Sequence, residues 1–373
     1  MINRKKRTLI LTSFMTFTVF LCLPAAGCSR GPKDTDFDPV AIISASGEER
    51  SSSAAESGTP AAADEAKAKP TEADNGSGES ETFAHTPSEA VTFQDALGRQ
   101  VTVSSPERTA VLIGSFADIW CLAGGKDSLV AAAHDTWTNF DLGLDDSVAD
   151  LGLITEPNLE TLAAAQPDFI IASSNTDADV KMLDTLESMG MNVAYFQVSN
   201  FKDYLNMLDI CTQITGDRDQ YETYGQALAA QIEDAKSMAD GSAPTVLYVR
   251  ASSSSCKVKN SKGSVLGEML SDLGCVNIAD SDGSLLEDLN MEAIVAADPR
   301  FIFVVLQGAD SKASMNTLEK ELLSSPVWQS LTAVKEGRYH ILDRNLYNLK
   351  PNARWGEAYE NLAKILYPHT SKE

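Results

Sequence analysis

The chain has 373 residues, 43% of them hydrophobic and 22% charged, ordinary proportions for a globular protein with room for two folded units. Thirty basic against 53 acidic side chains give a net charge of −23, which excludes nucleic acid as a partner and disfavours anionic lipid headgroups. The only long apolar run is Thr8 to Leu23, so a polytopic membrane protein is excluded too.

Residues 1–27 read as an address rather than a fold. Asn3-Arg4-Lys5-Lys6-Arg7 is a basic stretch, Thr8–Leu23 an apolar one, and Ala25-Ala26-Gly27 supplies small residues before Cys28. A cysteine directly after Ala-Ala-Gly resembles a bacterial lipobox, which implies a diacylglyceryl group on Cys28 and cleavage before it. Ala25 and Gly27 also suit an ordinary secretory site, and either reading exports the mature protein. Residues 28–89 are rich in Ser, Ala, Gly, Glu and Pro, with too few large apolar side chains to offset the entropy of ordering. They are expected to form a disordered acidic tether, or a plain spacer.

The remainder divides into lobes at 90–216 and 241–373, with 217–240 between them. Val91-Thr92-Phe93 and Val101-Thr102-Val103 alternate around Ala96-Leu97-Gly98-Arg99, the pattern of a hairpin. Strands are expected at Ala110–Ile113, Leu129–Ala133, Phe169–Ala172 and Val193–Val198. Helices alternate with them through Trp120 to Leu122 and over Leu159–Ala165 and Val180–Met189. In the second half, strands Val246–Val249, Phe301–Leu306 and Tyr339–Leu342 accompany helices Val265–Leu273, Met291–Ala297 and Pro351–Leu366. Short continuous apolar runs between helices indicate mainly parallel sheets covered on both faces.

Within 217–240, Tyr221, Tyr224, Leu228, Ile232, Ala235 and Met238 form a helical stripe. It fits an ordinary domain helix, and its place between two similar lobes suggests a spine. An internal echo supports duplication of a lobe: Asn158-Leu159-Glu160 followed by Pro167-Asp168-Phe169-Ile170 matches Asn290-Met291-Glu292 followed by Pro299-Arg300-Phe301-Ile302. In each copy Asn caps a helix, Glu lies in its first turn, and Pro precedes a buried strand.

Cysteine spacing fits no zinc pattern. Cys121 and Cys211 lie in apolar helical patterns and read as buried thiols, and a Cys256–Cys275 bridge is left open. There is no G-x-S-x-G elbow, no H-E-x-x-H and no P-loop, and four histidines are too few for an imidazole-rich metal site. These absences argue against an enzyme and against a resident metal or cofactor.

Phe93-Gln94-Asp95-Ala96-Leu97-Gly98-Arg99-Gln100-Val101 resembles the opening hairpin of bacterial substrate-binding proteins for iron–siderophore, haem and cobalamin ABC importers. Pro157-Asn158-Leu159-Glu160 with Gln166–Ala172, and Leu266–Leu270 with Leu273–Ala279, resemble two further segments of that family, in order. The resemblance covers roughly residues 90–367. It implies an α/β fold of two Rossmann-like lobes joined by one long spine helix, with ligand in the cleft between them. It implies a lipoprotein on the outer face of the cytoplasmic membrane, as in Gram-positive bacteria, delivering its ligand to an ABC importer permease dimer and through it to an ATPase. It also implies that Glu160 and Glu292 meet arginines on the permease.

In α/β sheets ligands sit beyond the carboxyl ends of strands. Those positions include Ser115 and Phe116, His134 to Trp137, Ser173 to Asn175, Arg250 to Ser252, and Gln307-Gly308. Arg250, Lys257, Lys259, Lys350 and Arg354 offer a positive patch for an anionic chelate, and Trp137, Tyr347 and Trp355 offer flat apolar walls. The expected contacts are thus Ser115, His134, Trp137, Asn175, Arg250, Lys257, Lys259, Gln307, Tyr347, Arg354 and Trp355. A ferric siderophore is the first expectation. Haem, with His134, His340, Tyr347 or a Met as axial ligand, and cobalamin are the alternatives, and an adhesion or scaffold protein with a borrowed fold is a more distant one.

Overall fold

The computed structural model describes residues 90–368 except 288 and 309. Cys28, the signal segment, the tether and His369 lie outside the described residues.

Strands β1 (Val91–Gln94) and β2 (Gln100–Val103) form an antiparallel hairpin with Phe93 opposite Val101. The Asp95 carboxylate accepts the backbone N–H groups of Leu97 (3.0 Å) and Arg99 (2.9 Å), and the Arg99 guanidinium at 2.6 Å. The same guanidinium donates to the carbonyl of Val193 at 2.8 Å. The D-x-x-G-R run therefore closes the turn and pins the hairpin to the first lobe.

That lobe's sheet contains β3 (Thr109–Val111), β4 (Leu129–Ala132), β5 (Ala149–Asp150), β6 (Phe169–Ser173) and β7 (Val193–Phe196). They run in the order β5-β4-β3-β6-β7, all parallel. The second sheet contains β8 (Thr245–Ala251), β9 (Cys256–Lys259), β10 (Val276–Asn277), β11 (Phe301–Leu306) and β12 (Tyr339–Leu342). Its parallel order is β10-β8-β11-β12, and β9 pairs antiparallel with β8. The expected strands are present within a residue or two, and β5, β9 and β10 are additional.

Period-two alternation divides the second sheet between two cores. Leu247, Val249 and Ala251 pack with Trp328 on one face, whereas Val246 and Tyr248 face the large cluster shared with the first lobe. Residues 218–236 form one helix whose buried side is Leu228, Ile232 and Ala235, as the stripe requires. Its segment Glu222–Gln226 winds as a π-helix, and the Tyr224 carbonyl there accepts the Tyr204 hydroxyl at 2.9 Å. The last helix, Trp355–Leu366, packs closely against this spine: a Cβ on Gly356 would meet Gln231 Oε1 at 1.9 Å. Among the described residues no helix is long and apolar enough to cross a membrane.

The echo is structural as well as textual. Asn158 Oδ1 accepts the Thr161 N–H at 3.0 Å and Asn290 Oδ1 accepts the Ala293 N–H at 3.1 Å. The equivalent positions Gln166 and Asp298 both adopt left-handed backbone, at φ 47° and 37°, directly before Pro167 and Pro299. A non-glycine residue in that region costs about 1–2 kcal/mol, so its recurrence at matching positions supports duplication over chance.

Candidate functional site

The carboxyl ends of β3, β4, β8 and β12 bring chemistry together between the lobes. After β3, the helix Gly114–Leu122 begins against the turn that starts the helix Asp135–Asn139. A Cβ on Gly114 would lie 2.6 Å from the Thr136 backbone nitrogen, so glycine is needed for this approach. The Gly114 N–H donates to Asp135 Oδ1 at 2.8 Å.

From the second lobe, the segment after β12 reaches across. Asn352 Nδ2 donates to the Ser115 carbonyl and to Asp118 Oδ2, both at 2.8 Å. Both neighbours are acceptors, which fixes the amide orientation. Arg344 Nη1 donates to Asn139 Oδ1 at 3.0 Å, and the Lys350 ammonium lies 5.6 Å from the centre of the Phe116 ring. Burial pushes the Asp118 carboxyl up, against the Asn352 hydrogen bond that lowers it.

The β8–β9 ribbon carries the positive charge. Arg250 is paired with Lys257 and Tyr248 with Lys259, so all four side chains share one face. Arg250 donates through Nη2 to the Tyr248 hydroxyl at 3.1 Å and is half-buried. Burial, then the neighbouring Arg250 charge, draws the Lys259 ammonium below its usual range. Burial also lowers Lys350, with Asp135 opposing and Arg250 reinforcing the shift. Among the described residues none of Arg250, Lys257, Lys259 and Lys350 forms an ion pair with a carboxylate. Like charges directly opposite on a ribbon are destabilising, and none of the ion pairs among the described residues offsets them.

Other expected contacts are placed differently. Tyr347 is 3% exposed with its hydroxyl on the Ala358 carbonyl, and Trp355 is fully buried against Phe201 and Tyr204. Both are core side chains, not cleft walls. Arg354 is exposed but held by Glu357 in a two-pronged pair at 2.7 and 2.8 Å, so its charge is already matched. His134 is exposed and its Nδ1 lies 2.7 Å from Asp150 Oδ2. Trp137 is 39% exposed. Asn175 and Gln307 are exposed at the ends of β6 and β11, and the Ser115 hydroxyl is buried with no partner. Glu160 and Glu292 are exposed in the first turns of the helices Leu159–Ala164 and Met291–Ala297.

Arg344, Asn352 and Asp118 were not anticipated. Applying the strand-end rule to β12 as well would have found Arg344. Cys256 and Cys275 are both free thiols, so the bridge left open is absent. Among the described residues no group of three or more His, Cys, Asp or Glu side chains is placed to hold a metal ion. Two grooves lie away from this cleft: one of about 280 Å³ beside Arg300, Phe301 and His340, the other of about 430 Å³ between the spine and the last helix.

The chain is similar to the Fe(3+)-citrate-binding protein YfmC of Bacillus subtilis (strain 168), with 24% identity over 284 residues, 73% of this chain and 83% of the relative. Among solved structures it is similar to Staphylococcus aureus SirA complexed with staphyloferrin B, with a TM-score of 0.57 and 22% identity over 74% of this chain and 97% of that one. It is also similar to S. aureus IsdE complexed with heme, with a TM-score of 0.60 and 16% identity over 70% of this chain and 98% of that one. A model of the family described as periplasmic binding protein matches residues 110–346, from β3 in the first lobe to the segment beyond β12 in the second. The chain belongs to the periplasmic binding protein family.

Proposed function

We propose that this protein captures an anionic ferric chelate, a carboxylate-bearing siderophore or ferric citrate, between its lobes and delivers it to an ABC importer. The observation that carries this reading is the set of cations that, among the described residues, make no ion-pair contact with a carboxylate, Arg250, Lys257, Lys259 and Lys350, in a chain of net charge −23. Guanidinium and ammonium groups bind carboxylates through charge-assisted hydrogen bonds. The ligands named for YfmC and SirA accord with this chemistry.

Haem is the second reading, and it rests on His134 with the exposed Trp137 beside it. Of the other axial candidates, Tyr347 is buried in the core and His340 stacks on Phe303 and lines a groove near the amino ends of the strands. In the proposed role Glu160 and Glu292 are the docking charges for the two halves of a permease. A lipid on Cys28 and the tether of 28–89 hold the lobes at the outer membrane face.

The test is titration of ligand-depleted protein with ferric citrate, haem and cobalamin, followed by tryptophan fluorescence. Arg250→Ala is expected to weaken ferric citrate by about 1.5–3 kcal/mol, the scale of a hydrogen bond to a charged group. Unchanged affinity in that variant, or a Soret band in the protein as purified, refutes the anionic-chelate reading.

A further inference from the structure

A carboxylate lies beside the cleft's cations: Arg344 reaches Asn139, on the short helix that Asp135 begins, at 3.0 Å, and Lys350 lies over Phe116, two residues after Gly114. Asp135 begins the helix that follows β4, and its Oδ1 is held at 2.8 Å by the Gly114 N–H, in a contact that leaves no room for a Cβ on Gly114. Burial pushes the Asp135 carboxyl up, opposed by the Gly114 N–H and then by the charges of Lys350 and Arg344, both on the segment of the second lobe that crosses to the first. Lys350 in turn feels Arg250 on the β8–β9 ribbon. Asp135 therefore supplies part of the counter-charge that a bound anion would otherwise provide, and it does so from a fixed position.

We infer that Asp135 is a specificity-determining residue that limits how much negative charge the cleft accepts. This rests on the anionic-chelate reading of the same site. A ligand carboxylate reaching Lys350 or Arg344 competes with Asp135 and is repelled by it. Each added negative charge on the ligand strengthens the attraction to the ribbon and the repulsion from Asp135 together. Specificity is a difference of affinities, and a fixed like charge lowers the unwanted one. A surplus of cations alone would favour the most highly charged anion present. With Asp135 in place that preference is reduced, which narrows the advantage of such ions over complexes whose charge the metal has partly neutralised.

The test is Asp135→Asn, which keeps an oxygen for the Gly114 N–H and removes the charge. Three probes are titrated by calorimetry: citrate, ferric citrate, and ferrioxamine B, a ferric hydroxamate that carries a positive charge. Binding of citrate is expected to tighten about tenfold, equivalent to about 1.4 kcal/mol, and ferric citrate by less, while ferrioxamine B is unchanged or weaker. An equal change for all three probes means that Asp135 only positions Gly114, and overturns the inference. Arg250→Ala is measured in parallel. If it weakens ferric citrate while Asp135→Asn leaves citrate and ferric citrate unaltered, the site stands and the role of Asp135 falls. If Arg250→Ala has no effect on ferric citrate, the cation-lined site falls, and the role of Asp135 with it.

Discussion

Asn352 bridges the lobes through a buried side chain. It is fully buried, its backbone is left-handed at φ 50°, and its amide donates at 2.8 Å to both the Ser115 carbonyl and Asp118. Asn352→Gly removes the two donors and leaves the backbone at ease. A buried carbonyl left without a partner costs about 1–3 kcal/mol and a lost hydrogen bond to a charged group about 1.5–3. The loss also pushes the Asp118 carboxyl, already raised by burial, further up, which offsets part of this cost. Asn352→Gly is therefore expected to destabilise by about 2–4 kcal/mol. Asn352→Ala loses the same donors and adds about 1 kcal/mol for a Cβ in left-handed backbone. Urea denaturation followed by tryptophan fluorescence reads both variants. A Gly variant within about 0.5 kcal/mol of wild type would show that the amide bridges nothing of consequence. Equal stability of the two variants would remove the backbone part of the argument.

Asp179 offers a pH test. Burial first, and the like charge of Asp135, push its carboxyl up to about 7 against the Ser173 N–H at 2.8 Å. Between its ordinary 3.8 and about 7 the folded protein holds a proton that the unfolded chain releases, so this contribution to stability is lost as pH rises through that window. The difference in denaturation midpoint between wild type and Asp179→Asn should therefore vary with pH between those values and be level above them; a constant difference contradicts the assignment. For docking, Glu160→Ala/Glu292→Ala should bind ligand normally and lose less than about 1 kcal/mol per site, yet fail in cellular uptake, and normal uptake by the double variant rules out the docking role.

The fold was largely legible because its signals are local. The Asp95–Arg99 turn, the apolar runs of β6 and β11 and the twin Asn caps each use residues close in sequence. Strand β9 was missed because Cys256-Lys257-Val258-Lys259 shows only two apolar residues, and its pairing with β8 is what gives the alternation meaning. At the site, position along the chain was readable but side-chain direction was not. Tyr347 and Trp355 lie near a strand end yet turn into the core. The Arg354–Glu357 pair sits at i,i+3 and was readable from spacing alone. The bridge from Asn352 to Ser115 joins residues 237 apart and carries no local signal.

The ribbon that opposes Arg250 to Lys257 also fixes how ionic strength acts on the protein. With no ligand bound, added salt is expected to screen this repulsion and so favour the folded ribbon. In the proposed role the same salt would screen the attraction that draws a chelate in, over a Debye length of about 8–10 Å at ordinary ionic strength. In that role one pair of facing residues would tie the stability of the empty fold and the strength of capture to salt with opposite signs.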